Sequence, residues 1–113
     1  MVFAKTKDFE KNLKSLGKRF LTLGKALEVL EAALEQSPTP HKSTLIDGLG
    51  EEIIFPVIKM PIKCKNVTGW RFRVVYVYNE EETTITFLEV YFKGDKENHD
   101  QELIKAYFKT DNA

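Results

Sequence analysis

Apolar positions in the first third of the chain recur at helical spacing; further on they shift to the alternation of strands. Phe9, Leu13 and Leu16 follow Thr6, a residue suited to a helix N-cap, at intervals of four and three. Gly17 interrupts that stripe. A second stripe runs through Phe20, Leu23, Leu27, Leu30, Ala33 and Leu34 and stops before Ser37-Pro38-Thr39-Pro40. This pattern predicts a helical hairpin, preceded by a short strand from Val2 to Lys5. A loop-rich stretch with a turn at Asp47-Gly48 comes next. Three β-branched and aromatic segments follow: IIFPVIKMPIK, WRFRVVYVY and TTITFLEVYFK. Pro56 and Pro61 make the first of them irregular, bulged or an edge, because proline cannot donate to a sheet ladder. Asn79 to Glu82 is a charged turn that joins the other two as an antiparallel hairpin. From about Lys96 to Lys109 the spacing of Leu103, Ile104, Tyr107 and Phe108 is helical again.

The expected order is β-α-α-β-β-β-α. It describes an α+β fold: an N-terminal helical hairpin packed on a twisted antiparallel sheet of about four strands, with a C-terminal helix. At 113 residues the chain is expected to form one domain, 1–113. On the middle strand Trp70, Phe72, Val74, Tyr76 and Tyr78 share one face, which is the better core. Arg71, Arg73, Val75 and Val77 share the other. With the hairpin covering only one face, both arginines are expected to open onto an exposed concave side.

Composition narrows the picture. Hydrophobic residues at 42% and charged residues at 30% describe an ordinary globular chain. No apolar run approaches the ~20 residues of a membrane helix. The N-terminus turns charged too early for a secretion signal. Cys64 is the single cysteine, so no internal disulfide is expected, and a reducing cytoplasm is the expected location. His41 and His99, far apart in sequence, give no metal-ligand spacing with Cys64, and no cofactor is expected. Net charge is zero and the pI about 6.7, yet the charge is polarised. Between Ile53 and Asn79 there is no acidic residue, while Lys59, Lys63, Lys65, Arg71 and Arg73 all fall there.

Order, length and spacing together resemble the RelE/ParE superfamily of toxins. The stretch GWRFRVVYVYNEEETTITFLEVYFKGDKE is similar to their C-terminal hairpin, and the preceding helical hairpin and GLGEE-apolar-Lys strand are similar too. The resemblance implies the toxin of a type II toxin–antitoxin pair, whose partner is a cognate antitoxin. A RelE-type member enters the ribosome and cuts mRNA without a metal, inhibiting translation. A ParE-type member poisons DNA gyrase without nuclease chemistry, and a silent member only binds its antitoxin. By resemblance Arg73 is the signature arginine, Lys59, Lys63 and Lys65 match lysines of the preceding strand, and Lys93 and Lys96 match basic positions after the last strand. Tyr107 is a weaker match. Two features depart from RelE-type toxins: the neutral net charge, and Lys93-Gly94-Asp95-Lys96 where an additional arginine is usual.

Metal-free RNA cleavage needs a base for the 2′-hydroxyl, a cation for the phosphorane and an acid for the 5′-oxygen. Arg71 and Arg73 suit the second task, their planar forks matching phosphate oxygens. Lys63 or Lys65, among other cations, suits the first. His99 or Tyr107 suits the third. Lys59, Lys93 and Lys96 are expected to hold the RNA backbone, with Tyr91 or Phe92 stacking a base. A plainer reading stands beside each of these. The arginines pair with Glu89 and with Glu80 to Glu82, and the lysines guard an edge strand. On the same plain reading His99 is a capping or solvated residue. Tyr107, Tyr76, Tyr78 and Trp70 are then packing residues, and Cys64 is structural.

Overall fold

The computed structural model describes residues 1–110, so the end of the expected domain, 111–113, lies outside it. The elements are β1 (Val2–Lys5), α1 (Lys7–Gly17), α2 (Leu23–Gln36), β2 (Thr44–Leu45), β3 (Val57–Ile62), β4 (Phe72–Asn79), β5 (Thr84–Phe92) and α3 (Gln101–Thr110). They build one sheet of five strands in the order β1-β5-β4-β3-β2. All neighbours are antiparallel except β1 and β5, which run parallel. The fifth strand is the two-residue β2, too short to register as a periodic segment. Pro61 lies in the part of β3 beyond its pairing with β2, where a missing N–H leaves no ladder bond unmade.

Thr6 caps α1 as its position predicts: its hydroxyl accepts the Phe9 N–H at 3.1 Å. Phe9, Leu16, Leu23, Leu27, Leu30 and Leu34 then meet Ile58, Met60, Ile62, Phe72, Val74, Tyr76 and Phe87 on the first face of the sheet. The buried Tyr76 hydroxyl donates to the Pro38 carbonyl at 2.8 Å, which satisfies a polar group that the core takes in.

The second face differs from expectation. It is not an open concavity, because α3 and the segment before β3 fold across half of it. Leu49, Val57, Val75, Val77, Leu88, Ile104 and Phe108 form a second buried cluster there. A bulge in the hairpin contributes. Val75 pairs with Glu89 and Tyr76 with Phe87, so Leu88 is the extra residue, and both Leu88 and Glu89 serve this face. Arg71 and Trp70 are corrected too. Both precede β4, and Trp70 is 46% exposed rather than part of the core, with the Lys42 ammonium 3.6 Å from its ring centroid. The C-terminal helix begins at Gln101; residues 96–100, expected to open it, are irregular and follow a turn at 93–95.

Candidate functional site

Moving along β4 from Val77 towards Phe72, the second face changes from apolar to charged. Val75 has Lys59 on β3 and Glu89 on β5 as its neighbours; Arg73 has Pro61 and Tyr91. The helix α3 covers the apolar half and stops. At the other half Lys59, Arg73, Tyr91 and Lys93 remain, joined by Lys96 and His99 from the turn that leaves β5.

Arg73 is half-buried, and its Nη1 donates to the carbonyls of Trp70, at 2.6 Å, and Phe72, at 3.1 Å. Among the described residues the ion pairs are Met1–Glu35, Arg19–Asp95 and Lys96–Glu89, so Arg73 is not matched with a carboxylate. Pairing with Glu89, the plain reading of this arginine, is not what the fold builds. Glu89 is taken by Lys96 and by the Asp100 N–H at 2.8 Å. Backbone carbonyls therefore fix the guanidinium direction while leaving its charge uncancelled, which is the preorganisation that anion binding needs.

The neighbours feel that charge. Burial, then Lys93 and Arg73, hold the Lys59 ammonium below the ordinary lysine range, against an opposing pull from Glu89. Burial and then Lys59 lower the His99 imidazole, with Lys96 adding to the effect and Glu89 and Asp100 opposing it. Burial and then Glu89 raise the Tyr91 phenol, opposed by Arg73. Two atoms of this group, the Tyr91 hydroxyl and His99 Nδ1, are buried without a hydrogen-bond partner among the described residues. Buried polar atoms of this kind ordinarily have a partner in the protein or in ordered water.

Other residues singled out from the sequence lie elsewhere. Lys63 and Lys65 are exposed in the turn after β3, lining an open hollow of about 550 Å³ with Cys64, Asn66 and Thr68. The strand ends at Ile62, one residue past Pro61, the partner of Arg73, so neither lysine lies in the ladder. Arg71 is separated as well: its guanidinium carbon lies 5.3 Å from the Phe92 ring centroid, and that ring packs with Phe20 and Phe72 on the first face. Tyr107 packs edge-on against Phe108 in the second cluster. Tyr91 is inside the patch, but it is 4% exposed and its ring carries the Lys96 ammonium 5.3 Å from its centroid, so it offers no stacking face. Conversely Lys59 sits among the charges, and His99 is drawn in beside it instead of capping a helix in solvent; the capping is done by Asp100, whose carboxylate accepts the Leu103 N–H at 3.1 Å. The signal for Lys59 was its parity with Arg73 across an antiparallel pair. His99 had none, since it sits on an irregular turn.

No cluster of three or more His, Cys, Asp or Glu side chains suited to a metal ion occurs among the described residues. No helix among them is long and apolar enough to cross a membrane.

Solved structures resemble this one over most of its length. The RelE–RelB complex from the archaeon Pyrococcus horikoshii contains a chain matching 82% of this one and 94% of its own length, at 21% identity and a TM-score of 0.57. A metal-bound toxin from Helicobacter pylori matches 85% of this chain and 98% of its own, at 17% identity and 0.55. The solution structure of HP0892, a conserved hypothetical protein from H. pylori, matches 84% and 97%, at 18% identity and 0.56. No family model and no curated protein matches the sequence. The fold is thus one that a chain of the RelE–RelB complex and the two H. pylori structures share.

Proposed function

We propose that the chain is the toxin of a type II toxin–antitoxin pair, an endoribonuclease that cleaves ribosome-bound mRNA and inhibits translation. The observation that carries this reading is Arg73, aimed by two backbone carbonyls, free of carboxylates, and close to Lys59, which in turn is close to Lys93 and His99. A phosphodiester seated there meets Arg73 and Lys93 on its non-bridging oxygens. The resting protonation states then assign the two proton carriers. His99, lowered from its ordinary 6.5, favours the neutral form near pH 7; Lys59, lowered from 10.5, gives up its proton more readily than a free lysine. His99 accordingly takes the 2′-hydroxyl proton as the 2′-oxygen attacks phosphorus. The bond to the 5′-oxygen breaks, and Lys59 gives that oxygen a proton. The products are a 2′,3′-cyclic phosphate and a free 5′-hydroxyl. This reverses the order in which lysine is the base and histidine the acid, and it needs no metal. The same face, blocked by a cognate antitoxin, would be silent.

Purified ribosomes programmed with mRNA test it. Cleavage within the reading frame, with 2′,3′-cyclic phosphate ends, is expected from the chain and not from Arg73→Ala. Intact mRNA throughout would reject the reading. A second reading, a ParE-like or silent member that binds a protein without catalysis, is favoured by zero net charge and by an apolar hollow of about 260 Å³ between α2 and β3 where Val29 and Trp70 are exposed. Growth arrest with a DNA-damage response and unbroken mRNA would support it.

A further inference from the structure

Glu89 is the one charged side chain that is buried among the described residues, 3% exposed on a central strand. Taking a carboxylate out of water costs several kcal/mol unless its oxygens are well satisfied. Both are, and by the same short turn: Oε1 accepts the Asp100 N–H at 2.8 Å, and Oε2 pairs with the Lys96 ammonium. The earlier part of that turn has other ties, from the Lys93 N–H to the Arg71 carbonyl at 2.7 Å and from Asp95 to Arg19. Its later part, which carries His99, reaches the sheet through Glu89.

We propose that Glu89 is the positioning residue of the patch: it draws the later part of the turn across the open end of the sheet and so sets His99 beside Lys59. The role rests on the reaction proposed above. The bulge at Leu88 is what makes it possible, since it turns Glu89 to the same face as Arg73. Asp100 transmits the hold, because its N–H is bound by Glu89 while its carboxylate caps α3.

The test is the titration of His99, followed by NMR on imidazole-labelled protein. The charges around it are Lys59 from β3, Glu89 from β5, and Lys96 and Asp100 from its own segment. Glu89→Gln keeps an acceptor for the Asp100 N–H and loses the negative charge. Position is retained, and the His99 midpoint drops below that of the parent. Glu89→Ala releases the turn, and the midpoint rises towards the value of a solvated histidine. Turnover should fall at least tenfold in Glu89→Ala with KM unchanged, and largely recover in Glu89→Gln. Thermal melting and the Ile104 methyl signals confirm that both variants are folded. Midpoints that stay put in both, or that move down together, overturn the proposal; the second pattern would mean that Glu89 acts by charge alone. If the parent cleaves no RNA, the reaction is rejected, while the titration still decides the role of Glu89.

Discussion

The two ends of the second sheet face are built on the same three strands and behave as different materials. At one end Val57, Val77 and Leu88 lie under Ile104 and Phe108, and water is excluded. At the other, four residues along β4 from Val77, Arg73 stands near Lys59, which is close to Lys93 and His99. The difference shows that α3 covers only what repays burial: apolar area gains about 25 cal/mol per Å² removed from water, whereas an unpaired guanidinium would lose its hydration. The apolar end holds the fold, and by doing so it holds the charged end rigid.

Exchanging damage between the two ends should separate stability from chemistry. Phe108→Ala empties the covered end and should cost about 3–5 kcal/mol in urea unfolding. Arg73→Ala should leave the unfolding midpoint nearly unchanged and reduce cleavage roughly 10²–10³-fold, the loss typical of a preorganised donor to developing charge. A large stability loss there would mean that the charged end also supports the fold. Lys59→Met should act through pH. Activity is lost as pH falls through the lowered His99 value, and in the parent also as pH rises through the lowered Lys59 value. The parent is therefore bell-shaped, with its acid limb below pH 6.5 and its alkaline limb below 10.5. The methionine variant should be about tenfold slower and should lack the alkaline limb. Lys63→Ala and Lys65→Ala, outside the patch, should change turnover by less than about threefold. A larger effect would return these lysines to the site.

Much of this was open to reading from the order of residues. The capped first helix, the hairpin, the core face of β4 and the acid-free middle all follow from local periods and from the charges within them. The pairing of Lys59 and Arg73 on one face was legible in principle, because alternation carries across an antiparallel pair. Arg71 leaves the face of Arg73 because the strand begins at Phe72, two residues later than Trp70, where its pattern starts. Lys63 and Lys65 fall in the turn rather than on the strand because β3 ends at Ile62.

The register of β5 was not legible. Counted straight back from the Asn79–Thr84 pair, Glu89 would face Val74 and Tyr91 would face Phe72, which places both in the first core. One extra residue at Leu88 reverses them. Nothing in Thr-Phe-Leu-Glu-Val announces a bulge; it lets Leu88 join Ile104 of α3, 16 positions further along, and Glu89 reach Asp100, 11 positions further along. The sequence alone determined which segments are helix and strand and that a cationic strand pair sits in the middle, since those depend on periods of two and 3.6 residues. Only the tertiary structure decided which cations meet, which face α3 covers and where His99 stands, because register and coverage are settled between distant segments.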